Sequence, residues 1–374
     1  METGFQRARA KKRKIGPFHP CNRSHFCNIS KIVLNLDVSC NIMKRVTLKD
    51  LARELGLSSS TVSRALNGDR NIRPETRERV LDAAKRVGYK PNLAAASMKT
   101  GRTYTVGVVV PEMVTSYSIE VIRSIQNVLY AKGVRVVVAD SAEDSDREKE
   151  NLLMMERFMV DGIIYSPCNY HKNRETLERL LADGFPIVCF GRIPYGVDIP
   201  KVVVDDYSMS FFVVEKMILS GCRKICHYRG SDEVFNTVER ARGYRDAMAK
   251  YKLEAVEIPG GIGQKGGAAA AERMIASGRD FDGIYAFNEP VAIGAMNRLR
   301  ELGCRIPDDI SVAAFSGTDL STVVYPQLTT VEPPTYEMGR VTVELLIEKI
   351  KNPAAGNRTV VLNAEIKMRR STER

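Results

Sequence analysis

From residue 104 to the C-terminus, short apolar runs alternate with longer amphipathic stretches, and that rhythm leaves few folds open. Runs at 105–110, 134–139, 162–165, 187–190, 202–204, 224–228, 283–287 and 310–315 read as buried strands. Between them, 118–132, 145–158, 173–182, 208–219, 238–250, 268–276 and 290–302 carry helical spacing. A last helix at 334–351 precedes a strand at 359–362. Strand–helix–strand repetition buries its apolar surface as a parallel sheet with helices on both faces. About 270 residues is large for one such sheet and comfortable for two. The predicted class is α/β, with a core of two doubly wound parallel-sheet lobes.

The segment ahead of that core is built differently. Thr47 is a suitable N-cap for a helix over 48–55, with Asp50 at the third helical position making an approximate capping box. Gly56 ends that helix, and Ser58 caps another over 59–67. Ala52, Gly56 and Val62 supply a small residue at a helix crossing, a residue tolerant of positive φ and a β-branched packing residue, as a helix-turn-helix requires. Pro74 opens a third helix, and Gly88 follows its end. Ser59, Ser60, Thr61, Ser63 and Arg64 crowd the start and outer face of the second helix. Short hydroxyls and an Arg there can reach base edges in a major groove, while Val62 and Leu66 turn inward. Pro91 then breaks the chain, and the Ala-rich stretch 93–98 is helix-prone but too short to stay helical alone. It reads as a hinge that orders on binding.

Charge separates the two parts. Residues 1–42 carry 8 Lys/Arg against 2 acids, residues 43–102 carry 14 against 6, and the remainder 34 against 37. A basic module ahead of a slightly acidic body suits a nucleic-acid contact regulated by a separate domain. No run approaches ~20 apolar residues and no secretory signal opens the chain, so a cytoplasmic protein is expected. Its eight scattered cysteines then read as reduced thiols.

Other motifs carry less. His19, Cys21, His25 and Cys27 are zinc-ligand types, but their spacing matches no common closed site. Residues 1–42 are expected to be a disordered or spurious extension before Met43. Gly261-Ile-Gly263-Gln-Lys-Gly266 satisfies GxGxxG but lies deep inside the α/β repeat, so a loop is the better reading. Cys226 and His227 point to opposite faces of one strand, which favours core and satisfied-surface roles, with Cys222, over a metal site. No GxSxG elbow, HExxH pair or Walker loop occurs. No catalytic residue, metal or cofactor is expected.

The run Val46-Thr-Leu-Lys-Asp-Leu-Ala-Arg-Glu-Leu-Gly56-Leu-Ser58, with Thr61-Val-Ser63-Arg64-Ala-Leu-Asn67-Gly68, resembles the LacI/GalR family of bacterial transcriptional regulators. The likeness continues through Tyr89-Lys-Pro91-Asn92, Val106-Gly-Val-Val-Val-Pro111, Arg240-Ala-Arg-Gly243-Tyr244, Ile306-Pro-Asp-Asp-Ile-Ser311 and Pro326-Gln-Leu-Thr-Thr-Val331. It covers nearly the whole chain after Met43.

The resemblance implies a helix-turn-helix DNA-binding domain over 43–90, a hinge helix and linker over 91–102, and a periplasmic-binding-protein-like core over 103–374. That core binds an effector and dimerises. Its near lobe is expected at about 103–204 and 327–354 and its far lobe at about 205–326 and 355–374, with crossings near 204–205, 326–328 and 352–358. To the contacts already named the resemblance adds Thr47, Asn67, Asn92, Ala95 and Met98, with Met98 as an apolar wedge in the minor groove. The partner is a pseudo-palindromic double-stranded DNA operator. No heptad repeat follows the last strand, so a homodimer is expected.

In the cleft, Arg240 matches the family's ligand-binding Arg and Asn288 its polar neighbour, with Tyr117, Arg192 and Ser316 as further lining. Gly191 and Ser316 stand where relatives often carry carboxylates. Two arginines left without those acids favour an anionic effector, such as a sugar acid or phosphorylated sugar, over a neutral sugar. The function implied is an effector-controlled, operator-binding repressor. A small-molecule-binding protein without a DNA role fits the headpiece poorly, and an enzyme on the same lobes lacks a catalytic constellation.

Overall fold

The computed structural model describes residues 46–89 and 101–374. The expectations for the extension 1–42 and for Asn92, Ala95 and Met98 lie outside the described residues. The chain divides into two compact units, one ending at Asn92 and one beginning at Leu93.

Among its described residues the first unit has three helices: α1 (Leu48–Leu55), α2 (Ser59–Leu66) and α3 (Pro74–Arg86). The Thr47 hydroxyl accepts from the Asp50 amide at 3.2 Å, and the Asp50 carboxylate accepts from the Thr47 amide at 3.1 Å. Two amides that a helix start would leave unpaired are thereby satisfied. Gly56 then adopts φ 66, and its N–H closes back onto α1, so the chain reverses within one turn into Ser58, whose hydroxyl caps α2. Leu51, Ala52, Val62, Ala65, Val80 and Ala83 form the buried core. Small residues at Ala52 and Ala65 let the short helices cross closely enough to share it.

The second unit opens with β1 (Thr105–Val110), α4 (Ser116–Tyr130), β2 (Arg135–Asp140), α5 (Ser145–Arg157), β3 (Gly162–Tyr165), α6 (Arg174–Ala182), β4 (Ile187–Phe190) and β5 (Lys201–Val204). It continues with α7 (Asp206–Leu219), β6 (Ile225–Arg229), α8 (Phe235–Lys250), β7 (Val256–Pro259), α9 (Gln264–Ala276), β8 (Gly283–Ala286), α10 (Glu289–Glu301), β9 (Ser311–Phe315) and α11 (Leu320–Val323). Last come β10 (Thr329–Glu332), α12 (Thr335–Lys351), β11 (Thr359–Leu362) and β12 (Glu365–Lys367). Two six-stranded sheets result, in the orders β11-β5-β4-β3-β1-β2 and β12-β10-β9-β8-β6-β7. Every pairing is parallel except β12 on β10.

The lobe boundaries differ from the sequence expectation after the first crossing at Val204–Asp205. Residues 327–332, expected in the near lobe, belong to the far one: β10 pairs with β9 in the far sheet, Thr329 opposite Ala313. Residues 355–362, expected in the far lobe, belong to the near one: β11 pairs with β5 in the near sheet, Val360 opposite Val202. The crossings therefore fall at 333–334 and 363–364. Thr329 and Thr330 obscured the first: both are fully buried, with hydroxyls held by Arg369 and neighbouring residues, so polar side chains sit inside a sheet.

Helix pairs cover the sheets and cross at glycines. A Cβ on Gly243 would meet the Tyr207 carbonyl at 2.3 Å, one on Gly267 the Val291 carbonyl at 2.0 Å, and one on Gly294 the Gln264 carbonyl at 1.9 Å. The backbones of α7 and α8, and of α9 and α10, thus approach as only glycine permits. The GxGxxG run belongs to this packing: its Gly266 already lies in α9, with the Gly260 carbonyl where a Cβ would be.

Candidate nucleic-acid interface and ligand cleft

On the first unit, Ser60, Arg64 and Asn67 are exposed along α2, with Ser59, Thr61 and Ser63 half-buried beside them. The Ser58 hydroxyl lies 2.8 Å from those of both Ser60 and Thr61, which fixes a cluster of hydroxyls at the positive end of the helix. The Arg64 side chain is 64% exposed, and its Nε stands 4.0 Å from an Asp69 oxygen, so little holds it. Thr47 instead engages its hydroxyl with Asp50 in the capping box.

In the second unit, the C-terminal ends of the strands of both lobes face one cavity of about 80 Å³. Tyr117, Arg192, Arg240, Asn288 and Ser316 all line it, alongside Glu112, Glu143, Gly191, Asn236, Ile262 and Phe287. Asn236 and Arg240 stand one helical turn apart on the inner face of α8. Arg240 donates through Nε to Asp206 at 2.7 Å and through Nη1 to the Phe287 carbonyl at 2.7 Å. Its guanidinium lies 3.7 Å from the centre of the Phe315 ring. Asn236 donates to the other Asp206 oxygen at 2.6 Å, while its own Oδ1 is buried without a partner. Burial pushes the Asp206 carboxyl above its usual range even though Arg240 and Asn236 favour the charged form.

Across the cavity, Arg192 makes a two-pronged bond to Glu143, both contacts at 2.8 Å. Burial opposes the Arg192 charge, but Glu143 outweighs it and raises its pKa. Glu112 accepts from Thr115 and Ser118 hydroxyls and from two amides; these bonds outweigh its burial and hold its pKa below the usual range. Asn288 caps α10 through the Val291 amide and donates to the Ile262 carbonyl at 2.9 Å, so it chiefly positions the 261–264 turn. Glu289 is 1% exposed, with its carboxylate taken by Thr318 and Ser321. Gly191 has φ 64, and a side chain there would meet the Tyr117 hydroxyl at 3.1 Å.

A family model of bacterial regulatory proteins, lacI family, matches residues 47–92, and one of periplasmic binding protein-like domains matches 214–372. The HTH-type transcriptional regulator RegA of Clostridium saccharobutylicum is 31% identical over 332 residues, 87% of this chain and 99% of that protein. The chain belongs to the LacI family. Catabolite control protein A of Priestia megaterium is 30% identical, over 88% of this chain and 99% of that protein. A solved complex of the transcriptional regulator CelR with cellobiose, 27% identical, superposes with a TM-score of 0.64 over 87% of this chain and all of that one. The protein is thus a LacI-family DNA-binding transcriptional regulator with an effector-binding core.

Within that family frame, the preference for an anionic effector loses its ground. It rested on arginines without acids, and each cleft arginine has one: Asp206 for Arg240, Glu143 for Arg192. Neither acid is singled out by the sequence alone, nor are Asn236 and Glu112. A signal existed in Val204-Asp205-Asp206, where a buried strand runs into two acids at a helix start. Asp205 caps α7 through the Ser208 amide, and Asp206 turns inward. His227 corrects a second reading: it is fully buried, its Nδ1 2.8 Å from the Tyr285 carbonyl, and burial lowers its pKa to about 3. Helices on both faces of the far sheet leave no solvated side for it. Among the described residues no cluster of metal-ligating side chains occurs, and no helix is long and apolar enough to cross a membrane.

Proposed function

We propose that this regulator is a cytoplasmic homodimeric repressor, not an enzyme, and that its cleft takes a neutral polyhydroxylated effector of the sugar class. The observation that carries the ligand class is the matched pairing of both cleft arginines. Glu112, Glu143 and Asp206 leave the surroundings of Arg192 and Arg240 with more acid than base, which opposes an incoming anion. A buried Arg–Asp pair offers donors and acceptors side by side, matching adjacent sugar hydroxyls that each donate and accept. The unpartnered Asn236 Oδ1 adds an acceptor at the same place. Tyr117, Arg192, Asn288 and Ser316 complete the proposed lining. Calorimetric titration with ribose, cellobiose, gluconate and glucose 6-phosphate tests this. We expect binding to come from a neutral sugar and to change little with salt; tight, salt-sensitive binding of either anion would overturn the reading.

On the headpiece, we assign base readout to the α2 face of Ser59, Ser60, Thr61, Ser63, Arg64 and Asn67, and backbone positioning to the Thr47 helix start. A repressor needs no further element, since a dimer seated on an operator excludes other proteins from it. Arg64→Ala should cost about 1–3 kcal/mol on the preferred sequence and leave random-sequence affinity nearly unchanged. Competition binding at fixed salt reads the difference, and equal losses on both DNAs would make Arg64 a phosphate contact instead.

A further inference from the structure

Beside the cavity, the lobes also meet through a set of aromatic rings that the sequence analysis did not single out. Tyr170 and His171 follow β3, and Tyr195 follows β4, all in the near lobe; Phe235 begins α8 in the far lobe. Tyr170 packs against His171 in a tilted arrangement, 3.9 Å between centroids, and meets Tyr195 edge-on at 6.3 Å. It also meets Phe235, across the lobe boundary, edge-on at 6.1 Å. The Tyr170 amide donates to the Glu233 carbonyl at 2.9 Å, again across the boundary, and the Tyr195 amide donates to the Tyr170 carbonyl at 2.7 Å. One ring and its own backbone therefore tie the two lobes at the same point.

Position gives this contact a consequence. The three crossing segments leave from the β11–β5 edge of one sheet and the β12–β10 edge of the other. The aromatic set follows β3 and β4 in the near sheet, β4 being the hydrogen-bonded neighbour of β5, and β6 in the far sheet, which lies next to the edge opposite β12. The free space of about 80 Å³ in the cavity is small beside the ~300 Å³ and upward typical of ligand sites, so parting of the lobes would make room for a ligand. We propose that Tyr170, Tyr195 and Phe235 form an aromatic clasp that holds the cleft shut and sets how often it opens, from outside the ligand cavity. Edge-on ring contacts favour one lobe arrangement by an amount that shifts a two-state equilibrium severalfold. The clasp acts on opening itself, whichever ligand the cleft takes, so its test is independent of the proposed effector class.

The test is hydrogen exchange by mass spectrometry on the full chain without DNA or sugar, following the peptide that contains Tyr170. Phe235→Ala is expected to speed exchange there by about three- to tenfold. Peptides in β1 and β9 should keep wild-type rates. Tyr195 is 60% exposed, so Tyr195→Ala is a second variant with little risk to folding, and a local rise is expected again. Phe235→Tyr, which keeps the ring, should retain protection. Wild-type exchange at Tyr170 in both alanine variants would overturn the clasp. So would a uniform rise over the whole core, which would make Phe235 an ordinary packing residue.

Discussion

Arg240→Ala is expected to abolish ligand binding and to lower the stability of the core by about 3–5 kcal/mol at neutral pH. Both partners of the Arg240–Asp206 pair are nearly buried, with side chains 7% and 6% exposed. Removing the guanidinium leaves a carboxylate among apolar residues with only Asn236 to stabilise its charge. The sign of the pH dependence follows. Burial already raises the Asp206 pKa in the folded protein, and loss of Arg240 raises it further. The folded variant then binds a proton that the unfolded chain releases, so its deficit should shrink as pH falls from 7 toward 5. Adding Asp206→Asn should recover much of the stability at pH 7 and none of the ligand binding. Denaturant midpoints for the three proteins at both pH values check this. A pH-independent deficit, unrelieved by Asp206→Asn, would mean that the loss is one of packing.

Gly294→Ala should do comparable damage by steric means alone. The added Cβ would stand 1.9 Å from the Gln264 carbonyl oxygen and 2.6 Å from its carbon, both backbone atoms that cannot rotate away. Either α9 and α10 separate, opening voids around the buried Ala270, Ala271 and Val291, or the far lobe fails to close. Overpacking commonly costs ~1–3 kcal/mol, and a collision of two helix backbones belongs at or above the top of that range. Gly356→Ala is the control, since nothing lies within 4 Å of its Cβ and its φ is not positive. A melting temperature for Gly294→Ala within a degree or two of that control would show that the helices shift freely.

Legibility in the sequence followed how local each signal was. Thr47, Asp50, Gly56 and Ser58 act within one turn of chain, so the headpiece helices could be read to within a residue of their observed ends. Long apolar runs such as 105–110 located the sheet centres. Strands with a single apolar residue escaped: β12 is Glu-Ile-Lys, and the two threonines of β10 look like loop until their hydroxyls are seen to be paired. Pro333 and Pro334, which no strand or helix interior tolerates well, marked the true second crossing. In the cleft, Arg240 and Arg192 were legible as residues but not as pairs, because Asp206 is 34 positions from Arg240 and Glu143 is 49 from Arg192. Charge balance in a site is a property of the fold. The crossing glycines were silent for the same reason, since what excludes a side chain at Gly294 belongs to Gln264.

The headpiece is expected to read DNA as a two-fold pair of half-sites. Selecting duplexes from a random-sequence pool with the full chain tests it directly. Enrichment of two inverted half-sites at a fixed spacing is expected, with preference lost base by base in Arg64→Ala. Recovery of unrelated sequences, retained only at low salt and equally by Arg64→Ala, would contradict it.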